Sequence, residues 1–164
     1  MLRLLLLLPL LFGCGYHFVG KGELPGKVSS LAIVPFENHT QEPRLGDFFT
    51  AALREEFISR GPRVVPQAEA EALIEGEVVG LSLRSLAYDE SAKARQYRAT
   101  VEVAVRLVRR GDGRVLWEAK ELKGSREFLV SGEVMMDEGA KEEALRRVAA
   151  DLAEEIYFRL TEGF

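Results

Sequence analysis

Tyr97, Ala99, Val101, Val103, Val105 and Leu107 occupy every second position of one stretch, and Arg98, Thr100, Glu102, Ala104 and Arg106 fall between them. A period of two held over that length predicts a half-buried strand, one face in the core and the other in water. Arg110-Gly111-Asp112-Gly113-Arg114 follows as a hairpin turn, its glycines supplying the positive φ such turns need. Val115, Trp117 and Ala119 then resume the alternation. Upstream, Leu73 to Ala87 alternates less regularly, with Gly76 and Gly80 read as bulge or bend positions. Together these segments predict an antiparallel meander.

Two other segments follow the helical period. Leu45, Phe48, Phe49, Ala52, Leu53 and Phe57 recur at spacings of mostly three and four after Pro43, which suits a first helical turn. That helix is expected to end at Ser59-Arg60-Gly61-Pro62, with Gly61 as a left-handed cap. Asp137-Glu138 sets negative charge at the start of a second helix, whose apolar stripe is Leu145, Val148, Leu152, Ile156 and Leu160. Val28 to Phe36 reads as a buried strand, because Leu31-Ala32-Ile33-Val34 is continuously apolar and Pro35 ends it too early for a helix. Arg63-Val64-Val65 predicts a short strand and Gln67 to Ala72 a helical turn or loop. Each helix has a single apolar face, so both must cover the sheet. The expected fold is α+β with two layers: a small mixed or antiparallel sheet with two amphipathic helices packed on one face.

The N-terminal pattern is different. Arg3 precedes an apolar run from Leu4 to Phe12 that contains Pro9 and stops at Gly13-Cys14. A membrane-spanning helix needs roughly 20 apolar residues, and this run is shorter. It predicts a bacterial lipoprotein signal: residues 1–13 removed, and the Cys14 thiol acylated as the first mature residue. An ordinary signal peptide cut elsewhere and an uncleaved anchor are the alternatives. Cys14 is the chain's one cysteine, so no disulfide can use it and lipidation explains the thiol. Two or three acyl chains would hold the protein at a membrane where one binds only marginally. Glycine-rich residues 14–27 read as a tether and residues 28–164 as a single α+β domain. Gly15, in place of an aspartate after the cysteine, points to the outer membrane, periplasmic side.

Charge and candidate chemistry narrow the function. A net charge of −4 argues against a nucleic-acid partner, which calls for a basic excess. His17 and His39 lie in different segments with no second cysteine, so a tetrahedral metal site lacks ligands. Gly22 to Lys27 misses the phosphate-loop spacing, and Val28 stands where a magnesium-binding Ser or Thr would be. Ser131-Gly132 lacks a nucleophile elbow. Glu55-Glu56, Glu142-Glu143 and Glu154-Glu155 read as solvated helix faces. No enzyme, metal or cofactor is expected. One bias remains: Lys93, Arg95, Arg98, Arg106, Arg109 and Arg110 lie between Arg84 and Arg114 in an otherwise acidic chain. These cations either blunt strand edges or meet an anionic ligand, and Asp89 to Gln96 is an exposed loop suited to the second role. Lys93, Arg95 and Arg98 are the candidate ligand-binding residues.

Cys14-Gly15-Tyr16-His17-Phe18, then Ile33-Val34-Pro35-Phe36-Glu37-Asn38-His39-Thr40-Gln41-Glu42-Pro43, then Arg54-Glu55-Glu56-Phe57 closing on Arg60-Gly61, together with Gln96-Tyr97-Arg98, resemble the lipopolysaccharide-assembly lipoprotein family, LptE-type. The resemblance implies an outer-membrane lipoprotein with two helices on a small sheet. It also implies a protein partner, the large β-barrel LptD that such proteins sit inside and support, a lipid ligand, lipopolysaccharide, and no catalysis. The chain is expected to end at its second helix without a disordered tail. The competing class is a periplasmic lipoprotein cofactor of a cell-wall synthase or secretion pore, where an apolar strand ending Pro-Phe-x-Asn before an amphipathic helix also occurs.

Overall fold

The computed structural model describes residues 24–91 and 93–162. The expected signal segment and Cys14 therefore lie outside the described residues. Eight elements follow in order: β1 (Ser30–Ile33), β2 (Glu37–Asn38), α1 (Leu45–Arg60), β3 (Arg63–Val64), β4 (Ala72–Tyr88), β5 (Ala94–Arg109), β6 (Val115–Leu129) and α2 (Val134–Glu162). The strand order is β3-β1-β4-β5-β6, with β2 also pairing to β4. β1 runs parallel to β3 and β4, while β4, β5 and β6 form the antiparallel meander. Both helices lie on one face, giving the mixed-sheet, two-layer α+β fold.

The unbroken apolar run of β1 has a local cause. Leu31 and Ile33 join the main core, whereas Ala32 points the other way into a small cluster with Ala70 and Leu73. Both faces are covered, so no polar position is left for alternation to show. Pro35 then separates β1 from β2, and the bend drives Phe36 into the core. Its ring stacks on Phe49 at 5.8 Å and lies over Gly76, where an added Cβ would come within 2.1 Å of Cζ. The Phe36 amide donates to Thr50 Oγ1 at 3.0 Å. Asn38 closes the next turn, accepting from the Thr40 amide at 3.1 Å and donating to the Glu42 carbonyl at 2.7 Å. The segment Pro35 to Asn38 thus seats the start of α1.

α1 and α2 run parallel. Arg44 pairs with Glu142 near their starts, and Arg60 pairs with Glu154 at 3.0 Å near the end of α1. Between them Phe49, Leu53, Phe57, Leu145, Val148, Leu152 and Ile156 are fully buried against Ile74, Val101, Val103 and Leu107. Gly124 lets α2 approach β6 closely, since a Cβ there would lie 2.9 Å from Leu152 Cγ.

Four local expectations are corrected. Gly61 has φ −105°, not a left-handed value; it is required for space, because a Cβ would meet the Phe57 carbonyl at 2.9 Å and the Tyr157 ring at 3.1 Å. Gly76 stays in register opposite Val105 and is no bulge, whereas the register does shift between Val78 and Gly80. α2 begins at Val134, three residues before Asp137. Glu56 is no solvated carboxylate: it is part-buried beside Arg60 at 3.1 Å, and burial raises its pKa.

Leu24 and Val28 are buried, and Pro25–Lys27 forms a turn whose Gly26 carbonyl accepts from Arg109 at 3.0 Å. Among the described residues, packing thus begins at Leu24, and the last four residues of the stretch read as tether lie against the domain.

Candidate functional site

β4, β5 and β6 are far longer than the strands before them, and their outer halves extend beyond the main core. There the β4–β5 hairpin and the β6–α2 turn form one end of the molecule, the tip. Asp89 organises the hairpin. Its Oδ1 accepts from the Ser91 amide at 2.9 Å and the Lys93 amide at 3.0 Å, and its Oδ2 accepts from Arg95 Nε at 2.9 Å. Arg95 Nη1 reaches on to the Ser131 carbonyl at 2.6 Å. Asp137 completes the tie by accepting from the Ser131 amide at 2.7 Å and the Gly132 amide at 3.0 Å. These donors favour ionised carboxylates, so Asp89 and Asp137 both sit below the ordinary aspartate pKa, led in each case by a backbone N–H.

The three sequence-predicted cations therefore divide. Arg95 is held between the two turns and links them. Arg98 points to the open face of the sheet and forms a 2.6 Å ion pair with Glu127, its cross-strand neighbour. Lys93 is exposed at the hairpin, with no ion pair among the described residues. They do not converge on a single pocket. Register adds a cation that the loop-centred reading passed over: Arg84 of β4 lies directly opposite Arg98, so two guanidinium-bearing residues stand side by side on the open face. Like charges opposite one another disfavour the pairing unless an anion intervenes, and Glu127 serves only one side of the row. Ser82, Thr100 and Ser125 form the next row inward. Only the strand pairing could reveal this row, because Arg84 and Glu127 are 43 positions apart in sequence.

Apolar groups crowd the same end. Leu129, Val134 and Met135 are 70%, 77% and 89% exposed, with Tyr88 and Met136 close behind. Tyr97 and Phe128 stack at 5.8 Å on the helix side of the sheet. Cations and exposed apolar side chains are thus presented within one region.

A concavity of about 360 Å³ lies on the open face near β2 and is lined by Glu37, Glu75, Glu77 and Glu118 with Arg106. The sheet brings His39 within 3.2 Å of Glu77 and 3.7 Å of Glu37, a grouping invisible to an inventory of histidines and cysteines alone. Its wall is mostly acidic, in contrast to the arginine row at the tip.

Sequence comparison matches residues 28–160 to the LptE lipopolysaccharide-assembly model. The chain belongs to that family. No curated protein matches it by sequence. The LptE fold is shared with a lipoprotein from Caulobacter crescentus, 17% identical with a TM-score of 0.61 over 82% of this chain and 90% of that one. Lipoprotein B from Nitrosomonas europaea is similar at 20% identity and TM-score 0.61, covering 91% and 92%. PelC from Paraburkholderia phytofirmans, solved as a dodecamer, gives 18% identity and TM-score 0.55 over 85% and 93%. At these identities the likeness is one of fold. No helix among the described residues is long and apolar enough to cross a membrane.

Proposed function

We propose that this LptE-family protein is an outer-membrane lipoprotein, anchored through acylated Cys14 on the periplasmic side, that supports an LptD-type β-barrel and binds lipopolysaccharide. Family membership over residues 28–160 carries the reading. The tip supports its lipid-binding part. Phosphates and carboxylates of a lipopolysaccharide head group call for arginine forks and lysine point charges, which Arg84, Arg98 and Lys93 offer, and the flanking Tyr88, Leu129 and Met135 can shelter acyl chains. Cations on the protein would compete with the divalent ions that hold such lipids together, releasing single molecules. The role is binding and support, without a chemical step.

Arg95 takes a different part from the one its sequence position suggested. It positions the hairpin, and the ligand-facing cations are Lys93, Arg98 and Arg84. Titration of the purified protein with lipopolysaccharide tests this. Lys93→Glu/Arg98→Glu/Arg84→Glu should lose at least tenfold in affinity with an unchanged circular-dichroism spectrum; equal affinity in the folded variant would remove the site. Co-purification of the barrel tests the partner. A clickable fatty acid should label the wild type and not Cys14→Ser.

The alternative, a cofactor of a cell-wall synthase or secretion pore, has the fold shared with other envelope lipoproteins behind it but no family match. Recovery of a wall synthase in place of a barrel would favour it.

A further inference from the structure

β6 is a terminal strand of the sheet, so one side of its backbone is unpaired among the described residues. Its two halves manage that edge differently. In the half near the β5–β6 hairpin, the register shifts between Val103 and Val105, where Lys120 and Glu121 together stand against Ala104 alone, so that β6 carries one extra residue. That bulge, with Glu118, Lys120, Glu121 and Lys123 around it, is the kind of feature that keeps another strand away. From Lys123 to Leu129 there is no shift, and each residue pairs in sequence with β5 from Glu102 back to Gln96. This half is regular, lacks proline, and ends beside exposed Leu129, Val134 and Met135.

The ladder also fixes which backbone groups are free. The Val130 amide donates to the Arg95 carbonyl at 3.0 Å. In an antiparallel pair, hydrogen-bonded positions alternate with open ones, so Phe128, Arg126 and Gly124 bond to β5 while Leu129, Glu127 and Ser125 direct N–H and C=O outward. A row of outward donors and acceptors at every second residue is complementary to another extended backbone. An extended backbone matches both its spacing and its alternation of donors and acceptors. Strand addition supplies affinity through the main chain and specificity through adjacent side-chain contacts.

We propose that the Ser125–Leu129 edge of β6 is a strand-addition site, occupied by an extended segment of the barrel partner whose apolar side chains pack beside Leu129 and Met135. This rests on the barrel-support reading above and names the surface through which that support is given. The bulged half then sets the limit of the added strand, holding it to the tip-proximal part of the sheet.

Hydrogen exchange resolved to single amides, on the full lipidated chain free and in complex with its purified LptD-type barrel, tests the proposal. Amides of Ser125, Glu127 and Leu129 should exchange at least tenfold more slowly in the complex, while Arg126 and Phe128, already in the ladder, change little. Ser125→Pro removes an outward N–H without touching the β5–β6 bonds, and should weaken barrel capture at least tenfold with the circular-dichroism spectrum and Tm retained. A complex that forms with unchanged edge exchange, or a folded Ser125→Pro protein that captures the barrel like the wild type, would overturn strand addition and leave barrel support standing. Wild-type protein that captures no barrel would overturn both. If Ser125→Pro fails to fold, the exchange pattern of the wild-type complex decides.

Discussion

Gly76→Ala tests how the Pro35–Asn38 segment is locked to the sheet. An ideal Cβ at Gly76 would lie 2.1, 2.4 and 2.6 Å from Cζ, Cε1 and Cε2 of Phe36. Ordinary carbon contacts are about 3.5–4.0 Å, so the ring must retreat by roughly 1.5 Å or leave. Retreat is obstructed, because Phe49 stacks on the ring at 12° between planes and the Phe36 amide is tied to Thr50. Overpacking of a fixed core costs about 1–3 kcal/mol. Expulsion of the ring approaches the 3–5 kcal/mol typical of a buried Phe→Ala change, about 4 kcal/mol. Against this, alanine reduces unfolded-chain entropy by about 0.4–1 kcal/mol. The net expectation is a loss of about 2–3 kcal/mol.

Urea denaturation of the mature domain measures it, with Gly80→Ala as the internal comparison. No heavy atom lies within 4 Å of a Cβ at Gly80, so that change should fall within about 0.5 kcal/mol of wild type. The same Gly76→Ala change made in a Phe36→Ala background should cost little, since the clashing ring is gone. The double-mutant cycle then yields a coupling of about 2 kcal/mol. Wild-type stability for Gly76→Ala, or strict additivity with Phe36→Ala, would refute the contact as the reason for glycine.

Phe49→Ala and Leu152→Ala should each destabilise by about 2–5 kcal/mol, since both side chains are buried in the shared core; unchanged denaturation midpoints would show that the helices do not pack as described. Gly124→Val should also destabilise and displace α2, given the 2.9 Å approach to Leu152, and an unaltered midpoint would contradict that close packing. The tip should loosen in acid: Asp89 and Asp137 have lowered pKa values in the fold, so their stabilisation is complete above the unfolded aspartate value, about 3.9, and is lost as pH falls through the folded values. Glu56 has the opposite sign: its raised pKa means the fold disfavours the ionised form, and that penalty is relieved as pH falls through the raised value. Carboxylate NMR titrations distinguish the two, and Asp89 or Asp137 titrating above an ordinary aspartate would contradict the hydrogen-bonding account.

The strength of the period decided which elements were legible. β5 and the stripe of α2 each bury one side only, so their alternation survives in the sequence as a direct record of the fold. β1 carries no such record because Ala32 is covered on the face opposite Leu31, and its partnership with both β3 and β4 comes from pairing that no local pattern encodes. The start of α2 was obscured by Val134-Met135-Met136, whose exposure breaks the rule that apolar helical residues face inward. Gly76 and Gly61 were read through backbone conformation, whereas each is required by a side chain or carbonyl brought in from elsewhere in the chain. At the site, Lys93, Arg95 and Arg98 were visible as a charge excess. Their separation into an exposed cation, a turn-to-turn tie and an open-face ion pair depends on Asp89, Ser131 and Glu127, which only folding brings near.

The same geometry gives the molecule a polarity that bears on the proposed role. The chain emerges at the end marked by the β5–β6 hairpin, where Gly26 contacts Arg109, while the exposed apolar cluster is at the opposite end of the long strands. The sixteen residues of β5 span on the order of 50 Å at about 3.3 Å each. The ten residues from Cys14 to Glu23 reach at most about 35 Å when fully extended. With the anchor placed at Cys14, an upright domain presents its tip away from the leaflet that holds it, and the tip's apolar groups are then free for lipid or protein brought from elsewhere. A domain lying flat would instead bring one long side against the anchoring membrane. The open face is a poor side to bury there, since Glu75, Glu118 and Glu127 face it beside Arg98 and Arg106, and removing those charges from water would be costly. The helix layer is similarly charged on its outer surface, where Arg146 and Arg147 pair with Glu142 and Glu143. Under the proposed anchoring at Cys14, upright presentation is the arrangement the charge distribution favours, and it would place the cations and the β6 edge together at the end farthest from that anchor.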